Sequence, residues 1–366
     1  MKSVEYQPGL EGVVAAETEI SYLDVEAEEI VVRGYDLLDL AQKRTYPEVA
    51  FLLLHGRLPG PEEAEAFAQG LLQAPVPEAV FAILGLLPPE MHPMDRLRTL
   101  LSALGGFEEA GQKADAEADL RAGPRLIGQA AILVANLLRT QPRRPKPELG
   151  FAGAFLEMIT EKVPGEAEAR AFDQLLIAYS EHELPNSTFA ARVIASTLAD
   201  LYGAVTGAVA SLKGPLHGGA NEAVMEMFLE AETPEGLERL VRERLARKER
   251  IMGFGHRVYM RRMDPRAALM KEVLREMAPG NPRAARYLEV AERGERVMRE
   301  EKGLYPNLDY YAAPVLYALG VPVPLYTPIF LAARTAGLVA HVVEQHAHNR
   351  LFRPRVLYKG PRGLKA

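Results

Sequence analysis

The 366-residue chain contains no cysteine, so disulfide frameworks, cysteine-ligated zinc, iron–sulfur clusters and thiol nucleophiles are excluded. No apolar run opens the chain: Met1-Lys2-Ser3-Val4-Glu5-Tyr6 has none of the character of a secretory leader, and the expectation is a cytoplasmic protein. Neither a G-x-S-x-G elbow nor a Walker loop occurs, which removes the usual support for serine-hydrolase and P-loop chemistry. Acidic residues slightly outnumber basic ones, 49 to 43, so general binding of nucleic acid is not expected. Only residues 350–366 depart from this, with six basic residues and no acidic one, a patch suited to a local anionic ligand. Repeats of solenoid period and low-complexity tracts are missing as well.

One charge-free stretch, residues 310–333, is 24 positions long, enough to cross a bilayer. Pro314, Gly320, Pro322, Pro324 and Pro328 interrupt it. Repeated prolines remove backbone donors that a lipid-facing helix has no means of replacing, so a membrane span is not expected.

What the chain does have is helical pattern. Residues 47–55, 61–72, 94–104, 125–138, 166–179, 188–212, 235–248 and 284–302 are rich in Ala, Leu, Glu and Arg, with apolar positions three or four apart. Strand signal is confined to residues 19–24 and 29–33, which are expected to pair as a short ribbon. Pro and Gly punctuate the helices without forming a long linker, so any two domains share an intimate boundary. The fold class is mainly α.

Four places carry candidate chemistry. In Lys213-Gly214-Pro215-Leu216-His217-Gly218-Gly219 the imidazole precedes a helical run. A helix N-terminus there keeps it neutral, as an N–H donor to a forming enolate oxygen, or His217 simply packs in a capping turn. Gly253-Phe254-Gly255-His256-Arg257-Val258 superficially matches a dinucleotide fingerprint, but Val258 stands where the third glycine belongs. It reads better as a glycine-flexed ligand loop with a histidine donor and, at Asp264-Pro265-Arg266, an arginine fork, or as a plain arginine-rich surface turn. Asp309 is the single charge in Tyr305-Pro306-Asn307-Leu308-Asp309-Tyr310-Tyr311. Desolvation there makes it a general base, and the alternative is an N-cap for the next helix. Arg334, inside an apolar run, needs an internal carboxylate or a bound anion, and Arg353 follows near the basic end. Converging guanidinium groups of this kind clamp a small polycarboxylate. The histidines and carboxylate of His341, Glu344, His346 and His348 lack metalloprotease spacing and are not expected to bind metal; His55 and His92 read as packed or capping histidines.

Together with Gly9-Leu10-Glu11-Gly12, Leu54-His55-Gly56-Arg57-Leu58-Pro59, His92-Pro93-Met94-Asp95-Arg96 and His182-Glu183-Leu184-Pro185-Asn186-Ser187-Thr188, these segments resemble the citrate synthase family in order and over nearly the whole chain. The resemblance implies a two-domain helical fold with a short N-terminal β-ribbon. Residues 1–217 and 319–366 would form the large domain, and 218–318 a small domain that closes over oxaloacetate. It further implies condensation of acetyl-coenzyme A with oxaloacetate and hydrolysis of the thioester to citrate. Asp309 would be the base, His217 the donor to the enol oxygen, and His256 the group polarising the oxaloacetate carbonyl. His182, Arg266, Arg334 and Arg353 would hold oxaloacetate, with Arg353 reaching into the neighbouring subunit of a homodimer. Ile251, Gly253, Phe254, Gly255, Arg257, Arg261, Arg262, Lys302 and Lys359 are the candidates for contact with coenzyme A, a cosubstrate. No tightly bound cofactor and no metal is implied.

Some features depart from the family pattern. His256 and Arg266 stand ten positions apart, one more than is common, so residues 260–263 are expected to bulge. Pro185-Asn186 replaces a frequent Asn-Ala. The surroundings of Asp309 look closer to members that also take propionyl-coenzyme A and make 2-methylcitrate. The chain begins almost at the Gly9 motif, from which a plain dimer without the N-terminal region of NADH-inhibited hexameric relatives is expected. Competing readings are a 2-methylcitrate synthase, a fragment of a citrate-cleaving enzyme, and a non-catalytic helical assembly protein.

Overall fold

The structure is a computed structural model and describes residues 6–24, 26–27, 29–108, 113–255, 258–259 and 262–365. Strands β1 (Ser21–Asp24) and β2 (Glu29–Val32) pair antiparallel, Ser21 opposite Val32 and Asp24 opposite Glu29. A two-residue β3 (Tyr35–Asp36) adds to β2, too short to show a period in the sequence. The buried side chains of the ribbon alternate, as a sheet with one covered face requires.

Among the described residues the remaining regular structure is helical. The first group is α1 (Leu37–Lys43), α2 (Tyr46–His55), α3 (Pro61–Leu72), α4 (Glu78–Leu86), α5 (Pro93–Gly105) and α6 (Ala116–Asn136). It continues with α7 (Gly150–Thr160), α8 (Glu166–Ser180), α9 (Asn186–Ala195) and α10 (Leu201–Leu212). Beyond the His217 segment come α11 (Ala220–Ala231), α12 (Pro234–Ala246), α13 (Pro265–Met277), α14 (Pro282–Lys302) and α15 (Leu308–Ala318), and the chain returns in α16 (Tyr326–Ala347). The starts follow local chemistry. Thr45 and Glu48 form a capping box on α2, Asp115 and Asp200 accept from the first turns of α6 and α10, and prolines open α3, α5, α12, α13 and α14.

Two expectations need correction. The pattern over 188–212 predicts one helix, whereas the chain breaks at 196–200, where Leu198 has φ 63° and Asp200 caps a second helix through Gly203 N at 2.9 Å. Hydroxyls of Ser196 and Thr197 also turn back to carbonyls of the preceding turn, competing with helix continuation. Helix α6 starts at Ala116 rather than at 125, because Pro124 lies inside it and mimics a start.

Helix α16 organises the packing. It touches α2, α5, α6, α8, α9, α10 and α11. The helical stretch Val323–Ala347 is long and apolar enough to cross a membrane, but 89% of its apolar window is buried inside the protein, so its composition is that of a core helix. Helices α11 to α15 pack chiefly on one another and meet the remainder through α1, α8 and α16. A single apolar cluster runs through both groups.

At Gly337 α16 passes close against the end of α8. A Cβ there would stand 2.2 Å from Glu181 Oε2 and 2.5 Å from the Ser180 carbonyl. Gly337→Ala is therefore expected to destabilise the fold by about 1–3 kcal/mol through overpacking, read as a lower denaturant midpoint; an unchanged midpoint would contradict the close approach.

Candidate active site

The C-terminal end of α8, the start of α9, the loop before α11, the start of α13, the first turn of α15 and the middle of α16 bring polar side chains together. Arg334 is at the centre. Among the described residues its side chain is the largest that is fully buried, at 1% exposure, and its Nε donates to the Tyr179 carbonyl at 2.7 Å. Burial lowers its pKa to about 10, the charge of Arg266 acts in the same sense, and Glu181 and Asp309 oppose, so it stays cationic at neutral pH. Of the two partners the sequence left open, an internal carboxylate or a bound anion, the structure supplies carboxylates that act through charge, Glu181 more strongly than Asp309. Fully buried, Glu181 accepts from Ser21 Oγ at 2.8 Å and His341 Nε2 at 3.1 Å. His341 Nδ1 in turn accepts from Arg192, which also pairs with Glu344 at 2.6 Å. His346 pairs with Asp119 at 2.6 Å. Among the described residues no group of side chains is arranged to hold a metal ion.

Asp309 lies in the first turn of α15, but the N-cap is Asn307 and the Asp309 carboxyl turns elsewhere: Tyr179 OH donates to Oδ1 at 2.9 Å. The capping alternative therefore does not hold. Desolvation raises the Asp309 pKa to about 6, against the Tyr179 hydrogen bond and the charges of Arg266 and Arg334, with Asp264 adding to the rise.

His217 moves the other way. Burial, and after it the charge of Arg334, lowers its pKa to about 4. It precedes the Gly219 N-cap of α11, so desolvation rather than the helix end is the main cause of its neutrality. The N–H of Ser187, one of the donors that the start of α9 leaves without an intrahelical partner, donates to His217 Nε2 at 3.2 Å, and Ser187 Oγ lies 2.8 Å from the same nitrogen. Nε2 is thus the acceptor and Nδ1 carries the proton. Pro185 and Asn186, which depart from the family pattern, serve as N-cap and first residue of α9.

Arg266 is buried, and its fork is engaged by Asp264, Nη2 to Oδ2 at 2.7 Å and Nε to Oδ1 at 3.1 Å. Burial works against its charge, but Asp264 outweighs this and holds its pKa above the ordinary value. Asp264 also accepts from the Arg266 N–H as the cap of α13. His182 Nε2 lies 3.2 Å from Tyr259 OH, and the charge of Arg266 acts on that tyrosine. Phe330 joins these parts. Its ring stacks on Tyr179 at 4.4 Å, meets His217 edge-on at 6.3 Å and carries the Arg334 guanidinium at 5.0 Å.

The glycine loop is fastened beside Asp309. Gly255 N donates to Tyr305 O at 3.0 Å, Asn307 N to Gly253 O at 2.9 Å and Asn307 Nδ2 to Gly255 O at 3.2 Å. Gly253 has φ 85° and no room for a Cβ, which would lie 2.7 Å from Val224 and 2.9 Å from Tyr310. Ile251 and Phe254 are buried in the apolar cluster, so their side chains pack. Arg262, Lys302 and Lys359 are exposed. His256, Arg257 and Arg261 lie outside the described residues, as does Met260 of the expected bulge. Arg353 is exposed and donates to Pro354 O at 2.8 Å; among the described residues no contact joins it to the cluster. Tyr179, Ser187, Asn221, Glu181 and Phe330 were not expected. Ser187 stood within a motif already singled out, whereas Tyr179 ends an amphipathic helix with nothing in the sequence to mark it.

A family model described as citrate synthase, C-terminal domain, matches residues 9–355. The chain belongs to the citrate synthase family. It is 54% identical to a citrate synthase of Heyndrickxia coagulans over 99% of this chain and 98% of the relative. It is equally 54% identical to a citrate/2-methylcitrate synthase of Bacillus subtilis (strain 168), over 98% and 97% of the two chains. Among solved structures, the ternary complex of a Thermoplasma acidophilum citrate synthase with carboxymethyl coenzyme A and oxaloacetate superposes with TM-score 0.92 at 31% identity, covering 99% of this chain and 98% of that one. The expected architecture of helices with a short ribbon is thus the family's fold.

The neutral state of His217 is open to direct test. Its imidazole is expected to titrate near pH 4 in an NMR pH series, well below the ordinary histidine value; a midpoint near 6.5 would contradict the desolvated environment.

Proposed function

We propose that this member of the citrate synthase family condenses acetyl-coenzyme A with oxaloacetate and hydrolyses the thioester, releasing citrate and free coenzyme A. The observation that carries the reading is the gathering of Asp309, bonded to Tyr179, and His217, against Phe330, around the buried Arg334, where burial raises the carboxyl to about 6 and lowers the imidazole to about 4. Environments that shift a carboxyl and an imidazole in opposite directions, reversing their ordinary order, mark an acid–base pair.

In this reading Asp309 takes a proton from the methyl carbon of the thioester. The C–H electron pair moves toward the thioester oxygen, where His217 donates from Nδ1. An α-thioester proton is too weakly acidic for a carboxylate alone, so a donor whose bond strengthens as charge develops is needed. The enol carbon attacks the ketone carbon of oxaloacetate, forming the C–C bond, and the ketone oxygen takes a proton from His256. Water then adds to the thioester carbonyl, the C–S bond breaks and coenzyme A leaves with a proton. Arg266, Arg334 and His182 hold oxaloacetate, and Arg353 of a second copy completes the clamp, which makes the working unit a homodimer. Its exposure and separation from the cluster within one chain favour this arrangement.

Residues 218–318 act as a small domain closing on 1–217 and 319–366, so that water is excluded until the bond is made. The loop at Ile251, Gly253, Phe254 and Gly255 meets the adenine end of coenzyme A, and Arg257, Arg261, Arg262, Lys302 and Lys359 are candidates for its phosphates. No tightly bound cofactor takes part, and the protein works in the cytoplasm. A second reading, use of propionyl-coenzyme A to give 2-methylcitrate, is favoured by the bifunctional Bacillus subtilis relative. One methylene in an apolar pocket changes selectivity by only about 1–3 kcal/mol.

Steady-state turnover with saturating oxaloacetate is expected on both acetyl- and propionyl-coenzyme A, with acetyl preferred; absence of citrate among the products would reject the assignment. Asp309→Asn is expected to lower kcat by about 10²–10⁴-fold while leaving oxaloacetate affinity nearly intact. The same change should raise thermal stability at neutral pH. A folded-state pKa above the unfolded value means that the ionised group opposes folding from the unfolded pKa upward. Equal loss of turnover and oxaloacetate binding would contradict the role as base.

A further inference from the structure

Tyr179 occupies an unusual position at the end of α8. Its side chain is fully buried, and it makes two polar contacts with the machinery through different groups. The hydroxyl donates to Asp309 Oδ1 at 2.9 Å, and the backbone carbonyl accepts from Arg334 Nε at 2.7 Å. Its ring stacks on Phe330.

The direction of the hydroxyl proton is fixed by a chain of bonds that begins at a group able only to donate. The N–H of Glu222 donates to Asn221 Oδ1 at 2.8 Å, and Thr327 Oγ1 lies 3.3 Å from the same oxygen. The Asn221 amide therefore presents its nitrogen to Tyr179, and Nδ2 donates to the hydroxyl oxygen at 3.3 Å. With a donor on its lone pair, the phenol turns its proton to the carboxylate. Burial raises the Tyr179 pKa well above its ordinary value, and the Asp309 charge adds to this, so the hydroxyl remains a donor over the whole working range.

We propose that Tyr179 is a positioning residue for proton abstraction: its hydroxyl fixes Oδ1 of Asp309 and leaves Oδ2 to take the methyl proton, while its carbonyl fixes Arg334, so that one residue sets the separation of base and carboxylate clamp. This rests on the reading of Asp309 as the base. The C–H bond of the substrate methyl breaks, its electron pair passes to the enol system and the proton goes to Oδ2, so Tyr179 exchanges no proton itself. The other charged groups acting on Asp309 are Arg266 and Asp264 from the start of α13 and Arg334 from α16. Each remains in place when the hydroxyl is removed.

Tyr179→Phe isolates the hydroxyl, because the ring and the backbone carbonyl are retained. A hydrogen bond donated to the ionised carboxylate favours ionisation, so its loss moves Asp309 further upward. The acid limb of the kcat–pH profile is expected to shift up by about one unit, with kcat about tenfold lower at neutral pH, of which the roughly twofold part owed to protonation is recovered at about pH 9 and the part owed to lost positioning is not. Oxaloacetate Kd, measured by calorimetry, is expected to change less than about twofold. Asn221→Leu leaves the phenol but frees its orientation, and is expected to shift the limb the same way by less; it decides the matter should Tyr179→Phe fail to fold. An unmoved acid limb, or oxaloacetate affinity lost in step with kcat, would overturn the proposal. Asp309→Asn separates the two claims. If it keeps wild-type condensation, the base assignment is wrong; if it is inactive while Tyr179→Phe keeps the wild-type limb, only the role of Tyr179 is wrong.

Discussion

A guanidinium group with 1% exposure is the constraint around which the site is organised. Burying the Arg334 charge costs far more than one hydrogen bond returns, and it is tolerated only where carboxylates and dipoles surround it. The chain supplies the Tyr179 carbonyl directly, with Glu181 and Asp309 as counter-charges. Glu181 in turn needs its own support from Ser21 on the ribbon and His341 further along the same helix as Arg334. The requirement reaches as far as Gly337, where a missing side chain admits the Glu181 carboxylate against α16.

The same buried charge sorts the titratable groups. It acts with desolvation on His217, lowering its pKa, and against desolvation on Asp309, whose rise it limits. A carboxylate that is a stronger base than usual and an imidazole that remains a neutral donor therefore arise from one environment. Arg266 is neutralised locally by Asp264, which leaves Arg334 as the larger source of positive potential on the histidine.

Much of this was legible in the sequence because the deciding residues are punctuated. Glycines bracket His217, a proline separates Asp264 from Arg266, and Asp309 is the lone charge in its neighbourhood. The ribbon and the helices opened by prolines were legible for the same reason. The break between α9 and α10 was not, since its signal is carried by hydroxyl groups and one capping aspartate within an otherwise helical pattern. Tyr179 was not legible either. Its role comes from the crossing of α8 with α15 and α16, and a tyrosine at the apolar end of a helix looks like any core residue until those helices are packed.

Phe330 touches His217, Tyr179 and Arg334 with a single ring. Groups that share a wall do not respond independently: a shift of that ring to relieve one neighbour is transmitted to the other two. Free energies of paired substitutions around it should accordingly fail to sum. A lineage adapting this cleft to another acyl group would have to change several positions together, and this favours drift at the rim over drift at the ring.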